Sequence, residues 1–250
     1  METVKVIINN KECIAEKGKF LIDIAKDNRI GIPHLCHNEA LRGLNTCRLC
    51  IVEVTEGERT RVVTSCTFPA MKDLIVETNT DKIKRMRKAL MSLLVAETPD
   101  NIKTQKMAKA YGVTDFSRYE VHKGNDCVMC GLCVKACEAI SCSAIATVNR
   151  GVTKKIATPY ETASKDCVGC GSCAYICPTE CIKMEESAGV RKIWNKEFQL
   201  LKCGSCGKYY ITQEQYDKLS NELKVPAENL ICESCKNNKY AKEMAKIFMR

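Results

Sequence analysis

One run of cysteines, written twice, limits what this chain can fold into. Cys127-x2-Cys130-x2-Cys133-x3-Cys137 recurs 40 residues later as Cys167-x2-Cys170-x2-Cys173-x3-Cys177. Three thiolates spaced two residues apart can wrap three corners of an inorganic cube, and the fourth corner must come from elsewhere in the chain. In paired C-x2-C-x2-C-x3-C runs the fourth cysteine of each run ligates the other cluster. Cys127, Cys130, Cys133 and Cys177 are therefore expected to hold one 4Fe–4S cluster, and Cys137, Cys167, Cys170 and Cys173 a second. Pro178 follows Cys177 as the pattern asks, whereas Glu138 follows Cys137. That proline shapes the chain and is not a ligand, so both sites stand. Gly169-x-Gly171-x-x-Ala174, inside the second run, matches a dinucleotide fingerprint on paper. Its intervening positions are Cys170 and Cys173 and no βαβ unit surrounds it, so no nucleotide is expected there.

The run also decides how the composition reads. Cysteine makes up 19 of 250 residues, a density that means disulfides or metal. The start, Met1-Glu2-Thr3-Val4-Lys5-Val6, is strand-like, so no secretory leader is expected. The longest apolar runs, such as Leu90–Ala96, fall far short of the roughly 18 residues that mark a membrane span. A cytoplasmic chain with C-x2-C repeats uses its thiols for metal or redox work, not for cross-links. The formal charge is +9, from 39 Lys and Arg against 30 Asp and Glu. Taken alone, that excess points to nucleic acid. Each oxidised four-cysteine iron–sulfur or zinc centre carries roughly −2, however, and four would bring the total to about +1. The basic excess reads as compensation for buried anionic centres, and no nucleic-acid partner is expected.

Four stretches separate by spacing and periodicity: 1–78, 79–118, 119–190 and 191–250. In the first, Val4–Ile8 and Glu12–Ala15 alternate around Asn9-Asn10-Lys11, which predicts a hairpin. Phe20–Asn28 predicts a short helix ended by Gly31 and Pro33. Ile51–Thr55 and Arg61–Ser65 flank a second turn at Glu56-Gly57-Glu58, and Leu74–Glu77 predicts a last strand. Strands wrapped round one helix make a small α+β domain. In the second stretch Ile83, Met86, Leu90, Leu93 and Leu94 recur at helical spacing from near Asp81 to Pro99, which predicts a packing helix that serves as a linker.

The first stretch also holds Cys36-x10-Cys47-x2-Cys50-x15-Cys66. This keeps the close central pair of plant-type 2Fe–2S spacing and lengthens the first gap. Ile32-Pro33-His34-Leu35-Cys36, followed by Cys47-Arg48-Leu49-Cys50-Ile51-Val52-Glu53-Val54, resembles the N-terminal domain of the complex I large iron–sulfur subunit. It equally resembles the matching domain of iron-only hydrogenases, NAD-linked hydrogenase diaphorase subunits and formate dehydrogenases. The resemblance covers about residues 1–80. It implies a β-grasp ferredoxin domain with one 2Fe–2S cluster on Cys36, Cys47, Cys50 and Cys66. It continues through Asn149-Arg150-Gly151 and the repeat period into the bacterial-type two-cluster ferredoxin domain of the same enzymes. Between these domains that family usually carries a histidine and three cysteines for a further 4Fe–4S cluster. Here Thr98-Pro99-Asp100 stands roughly where the histidine is expected, no cysteine lies between Cys66 and Cys127, and His122 alone cannot rebuild the site. The helix is expected to persist without its cluster. No hydrogenase catalytic domain is expected in the 73 residues after Cys177.

Cys203-x2-Cys206-x25-Cys232-x2-Cys235 is close to a zinc-ribbon pattern with a slightly long centre. Zinc is the expected ion. A further iron–sulfur cluster, or a single rubredoxin-like iron, also fits four thiolates. Gly207 suits the tight turn of such a knuckle, and Thr212-x-x-Gln215 predicts a capped helix through Leu223. A last helix is expected from Lys239, with Tyr240, Met244, Ile247 and Phe248 on one face. With Met249, that face suits either docking on a partner or packing on the chain's own ribbon. Cys13, Cys142 and Cys181 remain unassigned and read as small buried apolar residues, the last two packed beside clusters. His37 neighbours Cys36, but a full set of cysteines leaves a histidine ligand unneeded.

No residues combine a nucleophile with a base or pair two general acids, so no substrate site is expected on this chain. The reading is an iron–sulfur electron-transfer subunit with one 2Fe–2S cluster, two 4Fe–4S clusters and one zinc. By resemblance it relays single electrons between a flavin- and NAD(P)-binding subunit and another redox subunit or ferredoxin. Its host would be a hetero-oligomeric hydrogenase, formate dehydrogenase or transhydrogenase of an anaerobe, a group that includes electron-bifurcating enzymes. One alternative is the iron–sulfur subunit of a quinone-linked dehydrogenase, which normally uses C-x4-C-x2-C where this chain has Cys36-x10-Cys47. The other is a nucleic-acid-binding regulator built from a zinc ribbon and a cluster sensor.

Overall fold

The computed structural model describes residues 2–41, 43–119, 124–223 and 230–248. His122 and Met249 lie outside the described residues, as do the side chains of Ile247 and Phe248. The chain forms two compact units. One comprises residues 1–136, 147–156 and 176–181; the other comprises 137–146, 157–175 and 182–250.

The first unit begins with a hairpin of β1 (Thr3–Ile8) and β2 (Lys11–Glu16), followed by α1 (Leu21–Asp27). A second hairpin joins β3 (Ile51–Glu56) to β4 (Arg59–Thr64), and β5 (Leu74–Glu77) completes a sheet of order β2-β1-β5-β3-β4. β1 runs parallel to β5 and the other pairings are antiparallel. Alternation dictates the faces. Val4, Val6 and Ile8 point inward with Val52, Val54, Leu74 and Val76, and they share a core with Leu21, Ile22, Ile24 and Ala25 of α1.

Two helices follow where one was expected: α2 (Asp81–Glu97) and α3 (Ile102–Ala110). Thr80 caps α2, its Oγ1 accepting the Ile83 amide at 3.2 Å. The buried residues of α2 are Ile83, Arg87, Met91, Val95 and Ala96. This corrects the apolar stripe inferred from spacing, since Met86 and Leu93 are 38% and 50% exposed. The inward stripe steps by four residues and includes a cation. Its reason is local: Arg87 Nε donates to Leu49 O at 2.9 Å, Nη2 to Ile51 O at 2.7 Å and Nη1 to Asn79 Oδ1 at 3.2 Å. A buried guanidinium with three acceptors is stable where an unpaired one is not.

Further along are α4 (Leu132–Ala139), a ribbon of β6 (Ala146–Val148) with β7 (Lys155–Ala157), and α5 (Ser172–Tyr175). The second unit is built on an antiparallel sheet of order β11-β10-β9-β8, from β8 (Met184–Ser187), β9 (Val190–Ile193), β10 (Lys196–Lys202) and β11 (Tyr209–Thr212). α6 (Gln213–Leu223) starts at the predicted cap, where Thr212 Oγ1 accepts the Gln215 amide at 3.2 Å. α7 (Glu233–Phe248) starts six residues before Lys239, which corrects the expected boundary and puts Cys235 in the first helical turn. Tyr240 and Met244 are each 54% exposed on it. No described helix is long and apolar enough to cross a membrane.

Candidate iron–sulfur and metal centres

The distances between sulfur atoms report what each thiol set can hold. Two thiolates on one tetrahedral metal, each about 2.3 Å from it, lie roughly 3.8 Å apart. Cys36, Cys47 and Cys50 lie in the loop between α1 and β3, and Cys66 just after β4. Cys36 Sγ lies 3.4 Å from Cys47 Sγ, and Cys50 Sγ 3.3 Å from Cys66 Sγ. Two close pairs suit two irons with two cysteines each. All four cysteines are buried. The Leu35 amide donates to Cys47 Sγ at 3.4 Å, and the Cys47 amide to Cys36 Sγ at 3.4 Å. The neighbouring Cys47 thiol and amide, with Thr46, pull the Cys36 thiol down to about 4, the deprotonated state that iron requires. His37 is turned away, its Nε2 3.4 Å from Asp23 Oδ1.

Cys127, Cys130, Cys133 and Cys177 all belong to the first unit. The same electrostatic neighbourhood joins Cys130 to Cys177 and to Cys36. Burial pushes the Cys130 thiol up to about 11, so it favours a bound cation over a free thiolate. The two cysteine loops touch: Thr46 Oγ1 donates to Cys130 O at 3.1 Å. They also share one apolar core, in which Leu35, Cys36, Cys47 and Leu49 pack with Met91, Val95, Val128, Cys130 and Leu132.

Cys137, Cys167, Cys170 and Cys173 belong to the second unit and line one pocket with Gly169, Ile193 and Trp194. The sheet grips this loop. Arg191 Nη1 donates to Gly169 O at 2.7 Å, and Lys196 Nζ to Cys167 O at 2.8 Å. Thr212 Oγ1 donates to Val168 O. Trp194 Nε1 donates to Cys173 Sγ at 3.3 Å, and the Ala144 amide to Cys137 Sγ at 3.2 Å. Gly169 has φ +67°, and a Cβ there would meet the Phe198 ring at 2.5 Å. The apparent dinucleotide glycine is thus a close-approach glycine under an aromatic ring.

The C-terminal set differs in kind. The sulfurs of Cys203, Cys206, Cys232 and Cys235 all lie within 4.8 Å of one another, with Cys206 and Cys232 at 3.7 Å. The knuckle closes through Gly207, at φ +71°, whose amide donates to Cys203 O at 2.9 Å. The amides of Cys232 and Ser205 donate to Cys203 Sγ at 3.3 and 3.4 Å. With the Cys206 amide they pull the Cys203 thiol down to about 6.

Residues 1–81 match the 2Fe–2S iron–sulfur cluster binding domain, and residues 121–184 the 4Fe–4S dicluster domain. Over 210 residues the chain is 29% identical to the HndD subunit of the NADP-reducing hydrogenase of Solidesulfovibrio fructosivorans, covering 72% of this chain and 36% of that one. It is 28% identical to the alpha subunit of the NADPH-Fe(3+) oxidoreductase of Geobacter sulfurreducens, covering 70% and 23%. The gamma subunit of the NAD-reducing hydrogenase HoxS of Cupriavidus necator is 36% identical over 99 residues, covering 40% and 41%. The chain is an iron–sulfur protein homologous to subunits of NAD- and NADP-reducing hydrogenases. It spans less than half the length of each of these relatives. A crystal structure of an NAD+-reducing NiFe hydrogenase in the H2-reduced state shares the fold, with TM-score 0.55 and 24% identity, over 62% of this chain and 74% of that chain.

The corner where that resemblance places a further histidine ligand is closed here by hydrogen bonds. Thr98 Oγ1 donates to Thr104 Oγ1 at 2.9 Å, and both residues are fully buried. Asn101 Oδ1 caps α3 by accepting the amides of Lys103 and Thr104 at 3.0 and 3.2 Å. Asn101 Nδ2 donates to Thr179 O at 2.9 Å, two residues past Cys177. Lys103 pairs with Glu180 on the same loop. The start of α3 therefore clamps the segment that follows Cys177. Asn101, Arg87, Trp194 and Arg191 had no sequence signal, because each acts on a backbone or sulfur atom brought near only by folding.

Proposed function

We propose that this chain relays single electrons between a flavin- and NAD(P)-binding subunit and another redox subunit or ferredoxin, in the cytoplasm. The host is a hetero-oligomeric, NAD-linked hydrogenase, complex I-like or formate dehydrogenase-like assembly of an anaerobe. Residues 1–78, 79–118, 119–190 and 191–250 serve as 2Fe–2S domain, helical linker, two-cluster domain and metal knuckle with its C-terminal helix. Cys36 and Cys47 take one iron of a 2Fe–2S cluster, and Cys50 and Cys66 the other. Cys127, Cys130, Cys133 and Cys177 hold one 4Fe–4S cluster, and Cys137, Cys167, Cys170 and Cys173 the second. When bound, these clusters supply one-electron chemistry at potentials set by hydrogen bonds to sulfur, nearby charge and burial. The chain's own part is to present the thiols, aim amide and indole N–H groups at them, and exclude water.

The observation that carries the reading is the bond from Thr46 to Cys130, at 3.1 Å, with the apolar core around it. A binding module has no need to pack one ligand loop against another; a relay does. Anaerobically reconstituted protein should hold about ten irons and show reducible 2Fe–2S and 4Fe–4S signals by EPR. Absence of reducible signals would defeat the proposal.

At the C-terminus we propose a single zinc. Four sulfurs mutually within 4.8 Å suit one tetrahedral ion, whereas a multi-iron cluster spreads its cysteines over separate metals. Metal analysis of anaerobically purified protein should find about one zinc per chain. One additional mononuclear iron in its place would assign a rubredoxin-like site instead.

A further inference from the structure

We propose that Cys181 is a reserve ligand for the first cubane, interchangeable with Cys177 at a single iron corner. This rests on the assignment of a 4Fe–4S cluster to Cys127, Cys130, Cys133 and Cys177. A thiol that merely fills space faces carbon. Cys181 faces sulfur: its Sγ lies 3.5 Å from Cys177 Sγ, and the Cys127 thiol belongs to the same electrostatic neighbourhood. Five thiols therefore converge where a cubane accepts four. Each iron of a cubane takes one protein thiolate, while two thiolates that share one metal sit roughly 3.8 Å apart. Cys177 and Cys181 are thus placed to address the same corner.

The turn that carries them is held still. The Glu180 amide donates to Cys177 O at 3.2 Å, and Glu180 has φ +53°. Asn101 holds Thr179 O from the linker, and Thr179 Oγ1 lies 3.5 Å from Cys177 Sγ. Exchange therefore needs rotation of two side chains and no movement of the backbone. The iron–sulfur bond to Cys177 breaks as that to Cys181 forms. The Cys181 thiol proton passes to the Cys177 sulfur, and no electron moves.

The test compares wild type, C177A, C181A and the double variant after anaerobic reconstitution. Iron is counted, and reactive thiols are mapped by iodoacetamide labelling and mass spectrometry. Wild type, C177A and C181A should each retain about ten irons, and the double variant about six. Cys181 should be labelled in wild type and protected at least about tenfold in C177A, as expected of a thiol that has become a metal ligand. Loss of about four irons from C177A with the 2Fe–2S signal intact overturns the proposal, as does equal labelling of Cys181 in C177A and wild type. Should C177A also lose the 2Fe–2S signal, C177V, whose side chain cannot ligate iron, decides on the same criteria. A wild-type count near six would instead overturn the two-cubane assignment, and this proposal with it.

Discussion

Arg87 shows how a single side chain can serve both fold and chemistry. It is 4% exposed and bonds the carbonyls of Leu49 and Ile51, on either side of Cys50. Replacing it with methionine strands two buried carbonyls and removes a positive charge beside an anionic site. Arg87→Met should cost about 2–4 kcal/mol in chemical denaturation. It should also lower the 2Fe–2S potential in an EPR-monitored redox titration, because reduction adds negative charge that the guanidinium no longer offsets. Arg87→Lys should recover much of the potential and less of the stability. Trp194 makes a separable case. Its indole N–H reaches Cys173 Sγ at 3.3 Å, and donors to ligand sulfur raise the potential. Trp194→Phe should lower the potential of one cubane and leave the 2Fe–2S centre where it was.

Secondary structure was legible where its cause is local. The β1–β2 hairpin follows from alternation around Asn9 and Asn10, both at positive φ, and the β3–β4 hairpin turns at Gly57. The helix at Thr212 follows from its cap. Reading failed where the cause is distant. The inward face of α2 is chosen by carbonyls of the 2Fe–2S loop, so leucine spacing pointed to Met86 and Leu93 instead of Arg87 and Met91. The strands from 184 to 212 carry no cysteine before Cys203, and nothing in their pattern announced that they grip the Cys167–Cys173 loop. Two substitutions test that grip. Gly169→Ala sets a methyl against Phe198 at φ +67°. The strained backbone alone costs about 1–2 kcal/mol, and reconstituted protein should lose up to about four irons. Thr212→Ala removes a helix cap and a bond to Val168 O. It should cost about 1–2 kcal/mol by thermal or chemical unfolding.

At the level of the whole chain, the cysteine runs made the 2Fe–2S and 4Fe–4S domain types legible, while the compact units follow packing that spacing does not report. The division falls inside the repeat, with Cys133 and Cys177 in one unit and Cys137 and Cys173 in the other. Since Cys36, Cys47 and Cys130 share a core, stepwise denaturation followed by optical and EPR signals should bleach the 2Fe–2S centre and one cubane together. Separate midpoints for those two would contradict the shared packing. Charge offers an independent check. The metal-free chain is formally +9, and four loaded centres bring it to about +1, so native isoelectric focusing should place the loaded protein distinctly more acidic than the stripped one.

The contact between Thr46 and Cys130 has a kinetic consequence. A charge that moves between neighbouring sites must wait for its surroundings to repolarise, and mobile water makes that wait costly. Here the intervening matter is close-packed side chain and a held carbonyl, which have little freedom to reorient. For the relay proposed above, the reorganisation energy across this junction is expected to be small, so that driving force and separation dominate the rate.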